Sequence, residues 1–189
     1  IHKQFGQNRI ESPDYPRIIN EGSIVRLQEY INEGKIYFGG EVDRNKLYIE
    51  PTILTDIVPN AKVMEDEIFG PILPVIEFED LNEVIDYVNK GDKPLALYYF
   101  SEDKKKINHV LKYTTSGGVT INDTIIHVAN GDLPFGGVGS SGLGKYHGQK
   151  SFDIFTNERA VMERGTFIEF NIRFAPYKDK LKLIKKIMK

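Results

Sequence analysis

Apolar residues recur at helical spacing in three stretches of the chain. Ile24, Leu27, Tyr30 and Ile31 mark one face of a helix; Ser23 is its predicted cap, and Gly34 stands where such a helix stops. Leu81, Val84, Ile85 and Val88 repeat the rhythm behind Asp80 and Glu83, an acidic variant of the capping box, and ahead of Gly91. Ile107, Val110 and Leu111 form a third pattern after Ser101. Around these lie Ile72 to Phe78, Leu95 to Phe100 and Val119 to Asn122, runs too short for helices and rich in branched and aromatic residues. Alternation of strand and helix predicts crossovers and an α/β fold, a parallel-type sheet with flanking helices. Lys35 to Phe38 and Tyr48 to Leu54 are further predicted strands, Pro51 placing the second at an edge or a bulge. Beyond Asn122 the regular pattern stops, and seven of the 17 glycines fall between Gly131 and Gly148.

Composition narrows the function classes. With 40% hydrophobic and 28% charged residues over 189 positions, the chain has enough apolar surface to fold as a globular domain. A net charge of −2 gives no overall field toward nucleic acid. The absence of cysteine excludes a disulfide scaffold, a thiolate zinc site and a cysteine nucleophile within these residues. His2, His109 and His127 have no ligand spacing, so no metal site is predicted. No run of about eighteen apolar residues and no signal-peptide series occurs, which predicts neither a membrane span nor export and places the protein in the cytoplasm. A first residue of Ile rather than Met suggests a piece of a longer chain. At the other end, Tyr177 to Lys189 carries six lysines against one aspartate, with Leu181, Ile184 and Met188 on one helical side. A tail docked on its own protein is favoured there over a basic amphipathic membrane contact.

The glycine-rich stretch from Gly136 to Tyr146 fits two nucleotide patterns incompletely. Gly137, Gly139 and Gly142 satisfy GxGxxG, and Gly139, Gly144 and Lys145 satisfy all but the last place of a P-loop. That place needs a hydroxyl for magnesium, and Tyr146 fills it. Both motifs also need a buried strand just before the glycines, whereas Asp132-Leu133-Pro134-Phe135 brings a proline. With Phe135, Tyr146 and His147 pinning both ends, the stretch reads better as a loop whose backbone passes close to something.

In Met64-Glu65-Asp66-Glu67-Ile68-Phe69-Gly70-Pro71, three acids precede an apolar pair and Gly-Pro ends any helix. One reading is a solvated acidic turn with Ile68 and Phe69 in the core. The other is a carboxylate that accepts both hydroxyls of a sugar diol beside an aromatic that braces a flat ring.

Pro134 to Gly148, together with Glu67-Ile68-Phe69-Gly70-Pro71 and Lys93-Pro94-Leu95-Ala96-Leu97-Tyr98, resembles the C-terminal half of an NAD(P)-dependent aldehyde dehydrogenase of the class 3, fatty or aromatic aldehyde, type. The resemblance implies that residues 1–155 are part of the catalytic domain, 156–175 an oligomerisation arm and 176–189 a basic tail. It implies that Glu67 binds the nicotinamide ribose, that Phe69 positions the nicotinamide ring, and that Phe135, Tyr146 and His147 line the substrate funnel, with Asn122, Ile126 and Ala129 on the same wall. A structural role for His147 is favoured over proton shuttling. The family's reaction runs through a cysteine thiolate, NAD or NADP as hydride acceptor, and a glutamate that activates water. The resemblance places the cysteine and that glutamate upstream of Ile1, so no catalytic residue is assigned here. It also implies a small-molecule aldehyde substrate and a homodimer, with no nucleic-acid and no membrane partner. From the residues themselves, Ser151 to Phe155 can begin a helix or turn and Arg159 to Arg164 can form an edge strand. Two rival readings are an inactive interaction or dimerisation module and a magnesium-dependent ATP-binding protein.

Overall fold

The computed structural model describes residues 1–58, 60–169, 172, 174–178 and 180–187. They divide into two compact units, Ile1–Lys90 and Gly91–Lys189.

In the first unit a short helix α1 (His2–Phe5) leads to α2 (Glu21–Ile31). Asn20, not Ser23, caps α2: its side-chain oxygen accepts from the Ser23 N–H at 2.8 Å. Both residue types suit the task, but only an acceptor ahead of the first turn reaches the free N–H groups of that turn. Strands β1 (Lys35–Phe38), β2 (Val42–Asp43), β3 (Tyr48–Ile49) and β4 (Thr52–Thr55) follow, then α3 (Lys62–Glu65), β5 (Ile72–Pro74) and α4 (Leu81–Lys90). The run predicted from Tyr48 to Leu54 is therefore two strands. β4 lies in the middle of the order β1-β4-β5, antiparallel to β1 and parallel to β5, so of the edge or bulge predicted from Pro51 the edge does not hold for β4. β3 pairs with β2 in a separate two-stranded sheet, and the β1–β4 register shifts between Ile36 and Phe38. Pro51 stands in the break between β3 and β4, where its missing N–H takes no ladder bond away.

One face of α2 supplies the core. Ile24, Leu27, Tyr30 and Ile31 pack with Ile49, Leu54, Ala61, Val63 and Ile72, and Ile68 leans on the same cluster. Ile24, Leu27 and Leu54 are fully buried, each contributing about 1.5–3 kcal/mol of apolar burial.

The second unit contains β6 (Ala96–Tyr99), α5 (Lys104–Tyr113), β7 (Gly118–Ile121), α6 (Ile126–Ala129), α7 (Gly148–Phe155) and α8 (Lys180–Ile187). β6 and β7 are parallel through four residue pairs, Ala96↔Gly118 to Tyr99↔Ile121, as the crossover through α5 requires. Asp103 rather than Ser101 caps α5, accepting from the N–H groups of Lys105 and Lys106. Ser101 acts one step earlier, its hydroxyl accepting from the Asp103 N–H. The architecture is α/β, with parallel pairs, flanking helices and antiparallel additions at β1 and β2–β3. Arg159 to Arg164, expected as an edge strand, is irregular and exposed. Ser151 to Phe155 is helical, within α7. Met188, Lys189, Asp179 and part of the predicted arm, Phe170, Asn171 and Arg173, lie outside the described residues.

Candidate cofactor and substrate sites

The segment after α3 passes over α2, and there the first unit forms a cleft of about 840 Å³ lined by Arg17, Ser23, Arg26, Tyr30, Asp66, Glu67 and Phe69, among others. That size suits a small-molecule site. Ile68 points inward to the core, as expected of either reading. Phe69 does not: it is 75% exposed and has φ +44°, a left-handed conformation costly for a residue with a Cβ. A buried anchor would have no reason to sit so. The exposed Glu67 carboxylate stands two residues away. The structure thus brings Glu67 and Phe69 to one cleft and removes Phe69 from the core.

The turn is held from below. Arg26 donates to the carbonyl of Ile68 at 2.9 Å and, at 3.4 Å, to that of Glu67. Its guanidinium lies over the Tyr30 ring, 5.3 Å from the centroid, and the Tyr30 hydroxyl donates to Asp66 Oδ2 at 2.7 Å. Arg17 donates to the carbonyls of Tyr15 and Ile10 and stacks over Tyr48.

Phe135, Tyr146 and His147 form one cluster in the second unit. Phe135 and Tyr146 exchange backbone hydrogen bonds of 2.8 and 2.9 Å, closing the glycine stretch at its base. The Phe135 and His147 rings stack with centroids 5.9 Å apart, and the Tyr146 ring meets His147 edge-on at 4.4 Å. Tyr146 is half exposed. His147 has φ +80°; its N–H donates to Ser151 Oγ at 2.8 Å, and its buried Nδ1 has no hydrogen-bond partner among the described residues.

Sequence reasoning missed His127 as a member of this cluster. It is 8% exposed, packs against Tyr98 and Phe135, and shares a 2.8 Å hydrogen bond with Thr120 through Nδ1. No motif in the sequence joins it to the cluster; the fold does, and a Cβ on Gly118 would come to 2.8 Å from the His127 ring. Asn122 is committed elsewhere, accepting from the Ser101 N–H and donating to its carbonyl. Ile126 is largely exposed on α6.

The loop's close backbone approach is borne out. A Cβ on Gly137 would overlap the Ser141 carbonyl, and one on Gly136 the Gly144 carbonyl. Lys145 is not free for a phosphate, since its ammonium donates to the Gly117 carbonyl at 2.6 Å. Among the described residues no group of three or more His, Cys, Asp or Glu could hold a metal ion. Nor is any described helix long and apolar enough to cross a membrane.

Comparison with known proteins agrees with these motifs. The profile of the Aldehyde dehydrogenase family matches residues 3–161, and the chain belongs to that family. It is 45% identical over its whole length to the 4,4'-diaponeurosporen-aldehyde dehydrogenase of Staphylococcus aureus, and covers 42% of that protein. It is 52% identical over 85% of its length to aldehyde dehydrogenase family 3 member A2 of Mus musculus, covering 33% of it. A solved structure described as the substrate-bound state of Staphylococcus aureus AldH superposes on the whole chain, and on 42% of its own, with a TM-score of 0.81 and 44% identity. The chain therefore spans less than half the length of each of these proteins.

Proposed function

We propose that the chain works as part of a longer class 3-like enzyme that oxidises medium or long aliphatic, or aromatic, aldehydes to carboxylic acids with NAD or NADP. Family membership supports the reaction class. The observation that carries the cofactor assignment is Phe69, exposed at positive φ beside Glu67 on the rim of an open cleft. Glu67 would accept from the two ribose hydroxyls, and Phe69 would brace the nicotinamide ring. NAD(P), when bound, supplies the hydride acceptor.

In the second unit Phe135, Tyr146 and His147 would give the aldehyde an apolar wall with a few polar edges. No thiolate is available within these 189 residues, so the nucleophile is assigned to the rest of the enzyme. The water-activating glutamate is assigned there with it by resemblance to the family. Residues 156–175 are proposed as an arm that pairs with a second copy. Exposed Val161, Met162, Phe167 and Ile168 support a partner there, and a homodimer with it. Residues 176–189 are proposed as a basic tail.

The test is Glu67→Gln in the complete enzyme. A charged acceptor to a diol contributes about 1.5–3 kcal/mol, so the KM for NAD(P) should rise, or turnover fall, about ten- to a hundredfold. Thiol labelling of the nucleophile should stay normal. Unchanged constants for NAD(P) would remove the assignment.

A further inference from the structure

A phenylalanine with positive φ, largely in water, stays where it is only if its surroundings over-determine the backbone. In the first unit those surroundings are three residues of α2 spaced to meet the turn. Arg26 donates to the carbonyls of Ile68 and Glu67, the two residues just before Phe69. Tyr30, one helical turn on and 2% exposed, lies beneath the guanidinium and donates to Asp66, the residue before Glu67. Leu27, fully buried between them, leaves no room for a Cβ on Gly70, the residue after Phe69. Every residue from Asp66 to Gly70 except Phe69 is thus tied to α2 or to the core beneath it. Only the side chains of Glu67 and Phe69 are left projecting.

We propose that Arg26 and the Tyr30–Asp66 pair form a clamp that sets the Glu67–Phe69 turn, making Arg26 and Tyr30 positioning residues for the nicotinamide end of the cofactor. This rests on the cofactor reading of Glu67 and Phe69. Arginine suits the place better than lysine because its planar fork serves two carbonyls and still stacks on an aromatic ring. Neither clamp residue needs to touch the cofactor. Releasing the clamp lets Phe69 relax to an ordinary φ, which turns its ring away from the geometry shared with Glu67.

The experiment uses the complete enzyme with Arg26→Gln, Arg26→Lys, Tyr30→Phe and Glu67→Gln. Steady-state constants for both substrates, NAD(P)H affinity by fluorescence titration and thermal midpoints are measured for each. Tyr30→Phe keeps the buried ring, which protects folding if Arg26→Gln does not. Arg26→Gln and Tyr30→Phe should each raise the cofactor KM and the NAD(P)H dissociation constant about five- to tenfold. The aldehyde KM should stay within about twofold, and Arg26→Lys should fall between Arg26→Gln and the unmodified enzyme. If Glu67→Gln weakens cofactor binding while both clamp variants bind normally, the clamp is overturned and the cofactor reading stands. An effect of Arg26→Gln with none of Tyr30→Phe also overturns it, in favour of direct contact between Arg26 and an anionic group. Parallel loss of both substrates' constants with a falling thermal midpoint reduces the clamp to a fold contact and overturns its positioning role. If Glu67→Gln changes nothing, the underlying reading fails and the clamp's function fails with it.

Discussion

Burial and pairing at single residues define a pH response in the first unit. Arg9 and Glu50 form an ion pair through both the Nε and a terminal nitrogen of the guanidinium, with both side chains largely buried. That bond to Glu50 holds the Arg9 guanidinium above its ordinary value. Beside it, burial raises the Tyr15 hydroxyl well above the usual tyrosine range, and the Tyr48 hydroxyl shifts the same way for the same first reason. A raised value means that the folded state holds the proton more tightly than the unfolded chain does. The resulting stability is complete below the unfolded value of about 10 and is lost as pH rises through the folded one. Stability should therefore fall above about pH 10. Tyr15→Phe should flatten that limb while costing about 1 kcal/mol at neutral pH, because the hydroxyl donates to the Ile49 carbonyl at 2.7 Å. Thermal midpoints at a series of pH values from 7 to about 11 read both effects; an unaltered alkaline slope in the variant would refute the assignment. None of this was legible in the sequence, where Arg9 and Glu50 stand 41 residues apart with no motif to join them.

At the scale of elements, periodicity located α2, α4 and α5, and the short apolar runs located β1, β5, β6 and β7. The cap of α2 is expected at Ser23 but falls at Asn20, because several residues near the helix start are able to accept and only backbone geometry selects one. The sequence also could not show that Phe69 is exposed, since an aromatic after isoleucine fits a core equally well; local strain and the α2 contacts decide it. The glycine stretch was more legible, because incomplete nucleotide motifs and aromatic ends already argued for a closely packed loop. Its packing makes a sharp prediction. Gly137→Ala places a methyl against the Ser141 backbone, which has no flexible end to move aside, so the loop must open. In the complete enzyme this should raise the aldehyde KM, through displaced Phe135, Tyr146 and His147, more than it raises the cofactor KM. Equal changes in both would detach the loop from the aldehyde. Lys145→Met tests the same element more gently: losing the bond to the Gly117 carbonyl should cost about 1.5–3 kcal/mol, and ATP binding should be absent before and after. Magnesium-dependent ATP binding by the unmodified protein, abolished in the variant, would restore the P-loop reading.

For the molecule as a whole, what a chain without cysteine can do alone follows from the chemistry it holds. Aldehyde oxidation by covalent capture needs a thiolate, and serine hydroxyls such as Ser140 and Ser141 are no substitute without a base. Ser141 is already engaged: its hydroxyl accepts from the Val138 N–H at 2.9 Å and lies 3.1 Å from the Val138 carbonyl. His147 offers its N–H, not its ring, to the nearby Ser151 hydroxyl. On the proposed assignment Glu67 and Phe69 would offer contacts for one end of a dinucleotide only, and so small a share of the binding surface leaves little affinity after the entropy of association. The isolated 189-residue chain should therefore form no NAD(P)H from any aldehyde, even at saturating cofactor, and should give no measurable cofactor binding by titration. The measurement is absorbance at 340 nm with short, long and aromatic aldehydes, the isolated chain and the complete enzyme side by side. Turnover by the isolated chain comparable to that of the complete enzyme would place the reacting group among these residues and overturn the division of labour proposed for them.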